Sequence, residues 1–196
     1  MGAEQKMKKQ REKALNTKHE IEEAAKKLIA ENGYTKTSIS DIVAQSGHSV
    51  GAFYGHFKSK EQLAADLYKQ IMIQAICESV EKGSAISDED RFIDFLVAHA
   101  SKVNEDKVLA AIALRCSISQ EYMDEISQYA VRYLAMVKNA INRFNPDMPE
   151  SEAWNSASII HCIINSYSES KNKYKFLSMS EDNTKKVIRM IIDSNY

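Results

Sequence analysis

Chain breakers are scarce in this sequence. Six glycines and two prolines punctuate 196 residues, and a sheet protein of that length needs many more turn residues. The stretches between Gly33, Gly47, Gly83, Pro146 and Pro149 are rich in Ala, Leu, Ile, Lys, Glu, Gln and Met, which give up little side-chain freedom in a helix. The chain is therefore expected to be all-α. It lacks any run near the roughly 18 consecutive apolar residues that a membrane-spanning helix requires, and its first residues are charged rather than apolar. A soluble, cytoplasmic protein with no membrane partner is expected.

Charge is unevenly spread along the chain. Residues 1–60 hold eleven Lys and Arg against seven Asp and Glu, whereas residues 61–196 hold 15 against 20. A basic head on an acidic body suits a nucleic-acid-binding module joined to a domain that does not touch nucleic acid. Residues 1–16 carry Lys6, Lys8, Lys9, Arg11 and Lys13 with few large apolar side chains, so they have little with which to anchor to a core. They are expected to form a basic arm, either mobile or a frayed extension of the first helix. Such an arm either reaches an adjacent minor groove or is simply solvated.

From about Thr17, Ile21, Ala24, Ala25, Leu28 and Ile29 mark one stripe of an amphipathic helix that Gly33 ends. Ser38, with Asp41 three residues on, predicts the start of a short helix to about Ser46, which Gly47 breaks. A second begins near Ser49 and passes Phe53, Tyr54 and Phe57. Ser59 and Gln62 have capping-box spacing and open a long helix through Leu63, Leu67, Ile71 and Ala75 to about Gly83. Further helices are expected at about 88–103, 105–118, 121–144, 150–173 and 180–193. The last two are apolar on more than one side, so they are expected to pack on a second copy of the chain, with Ile163 and Ile191 facing outward.

Residues 38–57 thus read as helix, glycine turn, helix, the dimensions of a helix-turn-helix whose second helix enters the major groove. Gly47 supplies the positive φ of the turn, and Phe53 and Phe57 hold the second helix to its neighbours. The small residues Ser49, Val50, Gly51 and Ala52 at its start can approach base edges without a clash. Tyr54, one turn on, can give its hydroxyl to a phosphate while its ring lies along the sugar.

With I-x-x-A-A at Ile21–Ala25, N-G-Y-x-x-T-S at Asn32–Ser38, Asp41-Ile42, and S-G-x-S-x-G-x-F-Y-x-H-F-x-S-K-E-x-L at Ser46–Leu63, the sequence resembles the TetR/AcrR family of transcriptional regulators. The resemblance runs from Thr17 to about Leu67. After the basic arm at 1–16, it implies a three-helix helix-turn-helix domain at 17–59 and a helical ligand-binding and dimerisation domain at 60–196. It also implies a homodimer that represses from a palindromic operator in double-stranded DNA and is released by a small, largely apolar effector. By position, Thr37 or Ser38 meets phosphate at the start of the second helix, and Ser49, Val50, Gly51 and Ala52 face the groove. Tyr54 and His56 contact the DNA backbone, and Lys60 meets a phosphate. The family often has Lys where Val50 stands and Thr where Ala52 stands, so base contacts are expected to be fewer or mostly apolar, as to thymine methyls. His48 replaces a small aliphatic residue and Val43 an alanine, which either shifts the packing of the short helices or makes His48 a DNA contact.

An effector cavity is expected among the helices at about 60–81, 88–103, 105–118 and 121–144, with Phe92, Phe95, His99, Tyr122, Ile126 and Tyr129 as candidate lining. Aromatic residues at helical spacing are equally read as core, and His99 and His161 as satisfied core histidines. The chain has no nucleophile elbow, no H-E-x-x-H, no phosphate-binding glycine loop and no clustered His, Cys and Asp set. It is therefore read as no enzyme, with no cofactor and no metal. Cys77, Cys116 and Cys162 lie far apart and are expected to be buried or half-buried free thiols. A structural DNA-binding protein without an effector is the alternative that the sequence leaves open, and after it an enzyme that uses the C-terminal domain.

Overall fold

The computed structural model describes residues 2–113, 115, 116, 118–173 and 180–194. Among them are helices and turns but no strand, in the order α1 (Gly2–Asn32), α2 (Ile39–Ser46), α3 (Val50–His56), α4 (Lys60–Ser84), α5 (Glu89–Asn104), α6 (Lys107–Ala113), α7 (Gln120–Phe144), α8 (Glu150–Lys173) and α9 (Glu181–Ile192). No helix of the described residues is long and apolar enough to cross a membrane.

The helix expected from about Thr17 begins instead at Gly2. Residues 2–16 have exposed side chains wherever these are described, so packing does not hold them helical. Their Ala, Glu, Gln, Lys, Arg, Met and Leu content favours the helix by propensity, and α1 offers a nucleus already formed. Helix α6 stops at Ala113 rather than near 118. Neither glycine nor proline marks that end, and Leu114 and Ser117 of the expected span lie outside the described residues. The N-cap of α5 is Asp88, whose carboxylate accepts the Arg91 N–H at 2.9 Å.

The chain forms two compact units, Met1–Ile71 with Lys107–Tyr122, and Met72–Asp106 with Met123–Tyr196. The first therefore extends past the boundary expected at residue 60 and takes in a later segment. Its core explains why: Ile21, Ala25 and Ile29 of α1, Ile42 of α2 and Phe53 of α3 are buried together with Leu63 and Leu67 of α4 and with Val108 and Ile112 of α6. Burying each of these large side chains contributes about 1.5–3 kcal/mol, so α6 belongs to this unit by its apolar face.

The second unit has its own core. Phe92, Ile93 and Leu96 of α5 meet Val137, Ala140 and Ile141 of α7, Ala153, Ile160 and Ile164 of α8, and Ile188 and Ile192 of α9. At its rim Lys185 pairs with Asp94 and with Glu181, each at 2.8 Å, which holds the ammonium well above the ordinary lysine range. Arg189 pairs with Asp90 and approaches Glu89. Asn145, after α7, donates its amide N–H to the Ile192 carbonyl at 2.9 Å and so ties the ends of α7 and α9.

Candidate nucleic-acid interface

The local signals around α2 and α3 close as side-chain bonds. The Ser38 Oγ accepts the Asp41 N–H at 3.1 Å, and the Asp41 carboxylate accepts the Ser38 N–H at 2.9 Å, a complete capping box. The same carboxylate accepts a hydrogen bond from the Ser38 hydroxyl at 2.6 Å, and this bond, with the backbone bond, holds Asp41 below the ordinary aspartate range. Gly47 sits at φ 72° and donates to the Val43 carbonyl, reversing the chain in one residue. Ser49 then caps α3, its Oγ accepting the Ala52 N–H at 3.1 Å.

Helix α3 has two faces. Phe53 and Phe57 point inward, 0% and 1% exposed, with ring centroids 5.4 Å apart. Val50 and Tyr54 point outward, 45% and 56% exposed. Ser49 and Gly51 are also exposed, while Ala52 and His56 are half-buried. The structure thus brings Ser49, Val50, Gly51, Ala52, Tyr54 and His56 onto one short helix and its cap, with the aromatic pair anchoring the other side.

Thr37 and Lys60 take other positions. Thr37 is 2% exposed and donates its hydroxyl to the Gly33 carbonyl at 3.0 Å, so of the pair Thr37 and Ser38 only Ser38 lies at the surface. The Lys60 ammonium donates to the carbonyls of Tyr34 and Thr37, at 3.1 and 2.9 Å, and lies 4.2 Å from the Tyr34 ring centroid. The buried Tyr34 hydroxyl donates to Glu61 at 3.2 Å. Burial, and then the neighbouring Cys116 thiol, push its pKa up. Lys60 therefore binds the α1–α2 turn. The Ser59 and Gln62 pattern closes only in part: the Ser59 Oγ accepts the Gln62 N–H at 3.2 Å, but the Gln62 side chain accepts from Lys58, not from Ser59.

Sequence reasoning missed three residues. Glu20 of α1 meets the Nε2 of His48 at 2.6 Å, so His48 ties the α2–α3 turn to α1. Lys36 and Lys58 are exposed at either end of the helix-turn-helix. Their signal was available: each is a basic residue in a connection flanking a helix of the motif.

The candidate effector residues divide between the two units, Tyr122 in the first and the others in the second. Phe92 is fully buried against Phe144, with centroids 5.7 Å apart. Phe95 stacks on His99 at 5.6 Å, and burial pulls His99 below its ordinary pKa against an opposing hydrogen bond to the Ala75 backbone. Ile126 is buried, and Tyr129 is half-buried with the Arg132 guanidinium 5.3 Å from its ring. Tyr122 belongs to the first unit, donating to Asp66 at 2.6 Å with Lys69 4.4 Å from its ring. No group of three or more His, Cys, Asp and Glu among the described residues can hold a metal ion. The three cysteines are free, but only Cys116 is half-buried; Cys77 and Cys162, expected to be buried at least in part, are exposed on their helices.

On α8 and α9 the outward apolar positions are Ile159 and Met190, 51% and 71% exposed. Ile163 and Ile191, expected there, are half-buried, and Ile191 packs on the core of its own unit.

Residues 21–67 match the family described as bacterial regulatory proteins, tetR family. The chain is similar to the HTH-type transcriptional regulator YvdT of Bacillus subtilis, 27% identical over 175 residues that cover 86% of this chain and 87% of that one. Among solved structures it is similar to a TetR transcription regulator from Haloarcula marismortui, with a TM-score of 0.67, 17% identity and coverage of 91% and 97%. It is also similar to FadR from Bacillus subtilis in complex with stearoyl-CoA, with a TM-score of 0.56, 22% identity and coverage of 91% and 99%. At these identities the structural likeness concerns the fold. The capped helix-turn-helix, the match over residues 21–67 and the similarity to YvdT agree: the N-terminal module of this chain is similar to that of the tetR family of bacterial regulatory proteins.

Proposed function

We propose that the chain is a ligand-responsive repressor acting as a homodimer, with two copies of α3 in successive major grooves of a palindromic operator, about 34–36 Å apart. The observation that carries this reading is the division of α3 into a buried aromatic side and an exposed side of small residues, Ser49, Val50 and Gly51, with Tyr54 one turn on. Val50 and Ala52 are the readers, and being apolar they favour thymine methyls. Tyr54, His56 and the Ser49 hydroxyl donate to phosphates, and Lys36 and Lys58 add charge beside them. Ser38, whose hydroxyl donates to Asp41, sets the start of α2, while Thr37 and Lys60 fix the turn before it.

Ile159 and Met190 mark the faces of α8 and α9 that meet their copies. The effector enters the second unit, where Phe92, Phe95, His99, Ile126 and Tyr129 lie. The acyl chain of the stearoyl-CoA in the FadR structure supports a ligand with a long apolar portion. Release requires that the ligand prefer a conformation in which the two α3 helices no longer match the grooves. Coupling is reciprocal, so a ligand that weakens operator binding tenfold binds the DNA complex tenfold more weakly, roughly 1.4 kcal/mol.

The test is selection of duplexes from a random pool, followed by footprinting with and without a panel of apolar effectors, a long-chain acyl-CoA among them. A protected palindrome that one effector clears is the expected result. Protection without sequence preference would mean a structural DNA-binding protein instead.

A further inference from the structure

Helix α1 runs without interruption from Gly2 to Asn32, so the angular position of every residue on it follows from one geometry. Successive residues turn by about 100° and rise by about 1.5 Å. Glu20 provides the reference direction. Its carboxylate touches His48 at 2.6 Å, and His48 directly precedes Ser49, the N-cap of α3. The side of α1 that carries Glu20 is therefore the side on which the reading helix begins.

Counted back from Glu20, Lys13 and Lys9 lie within about 20° of that direction and Lys6 within about 40°. The acidic residues of the same segment point elsewhere, Glu12 about 80° and Glu4 about 160° away. Lys8 and Arg11 also leave the stripe, at about 120° and about 180°. Lys6, Lys9 and Lys13 are exposed, and among the described residues none of them forms an ion pair or a side-chain hydrogen bond. Three ammonium groups thus follow one line that starts about 10 Å from Glu20 and ends about 21 Å from it.

We propose that Lys6, Lys9 and Lys13 form a phosphate-binding stripe that carries the DNA contact from α3 onto the backbone flanking the half-site. The proposal rests on the reading of α3 as the recognition helix. The occupant is nucleic acid because the stripe is a row of unpaired cations aligned with the face that meets the groove, and a duplex presents a negative charge about every 1.7 Å. The contact adds affinity and salt dependence without sequence preference.

The test compares the full-length chain with the triple variant Lys6→Gln, Lys9→Gln, Lys13→Gln and the control double variant Lys8→Gln, Arg11→Gln; glutamine keeps helix propensity close to that of lysine and arginine. Each is titrated, over a range of salt, against a duplex that the wild type selects from a random pool, made with and without flanking base pairs. On the flanked duplex the triple variant should lower the slope of log affinity against log salt by about 0.9 for each lysine. The loss should shrink on the trimmed duplex, and the bases selected should not change. Equal losses per charge removed in the control overturn the stripe, since net charge alone then explains binding. Unchanged binding by the triple variant also overturns it, as does binding of wild type but not the triple variant to phosphatidylserine vesicles with DNA affinity unaltered. In none of these outcomes does the reading of α3 fail. That reading fails separately, if the wild type selects no sequence at all.

Discussion

Replacing Lys60 by methionine keeps the stem of the side chain and removes its ammonium. That group donates to two carbonyls, of Tyr34 and of Thr37, at 3.1 and 2.9 Å, and faces the Tyr34 ring at 4.2 Å. A hydrogen bond to a charged group contributes about 1.5–3 kcal/mol, and a cation over an aromatic face at a partly exposed site about 0.5–1 kcal/mol. Lys60 is half-buried, so water partly replaces the lost donors and the net loss falls below the sum of these terms, to about 1–3 kcal/mol. DNA affinity should fall on every sequence, because the turn that positions α2 loosens. The salt slope should stay, because the ammonium faces carbonyls rather than phosphate. A pure phosphate contact reverses both outcomes, leaving stability intact and lowering the slope by about 0.9. Urea denaturation and salt titration of duplex binding decide between them. An unchanged denaturation midpoint with a lowered slope would refute the turn-holding role.

Three further outcomes follow from other parts of the chain. A Cβ added at Gly83 meets the Met136 Sδ at 2.7 Å and the Phe95 Cε1 at 2.9 Å; overpacking of about 1–3 kcal/mol outweighs about 1 kcal/mol of helix propensity. Gly83→Ala should therefore lower the thermal midpoint, and a raised midpoint means that ring and sulfur step aside freely. Burial holds His99 and His161 below the ordinary histidine value of 6.5, so the stability they contribute is complete above that value and is lost as pH falls through their lowered folded-state values. Denaturation midpoints should drop from about pH 7 to about pH 5, and less so in a His99→Gln, His161→Gln variant; the same drop in both assigns the effect elsewhere. Aspartate at both Ile159 and Met190 should yield monomers in sedimentation, whereas a persistent dimer moves the interface off these faces.

What could be read in advance was what local chemistry decides. Ser38 with Asp41, Gly47, and the Phe53 and Phe57 spacing are all contained within about one turn of chain, and each performs the expected job. Lys60 could not be read that way, because its partners are carbonyls 23 and 26 residues earlier, and any lysine at the start of a helix looks free to meet a phosphate. Thr37 misled for the same reason, its hydroxyl being committed to the Gly33 carbonyl of a turn whose closure the sequence does not reveal. The periodicity of Val108 and Ile112 marks a buried face without saying which core buries it, so the allegiance of α6 to the first unit was invisible. Tyr122 looked like its aromatic neighbours on α7, yet its hydroxyl is bound to Asp66. At residues 2–16 the absence of apolar anchors argued for an arm, and helix propensity with a formed nucleus overrode that argument.

The account turns on whether the exposed start of α3 reads sequence. The direct measurement is the affinity of the wild type and of Val50→Ser and Ala52→Ser variants for the selected operator and for each of its single base-pair variants. The account predicts that each variant loses about 1–3 kcal/mol at one base pair of each half-site, with changes elsewhere left as they are in the wild type. Equal losses on every duplex, or a wild type indifferent to all base-pair changes, would contradict it.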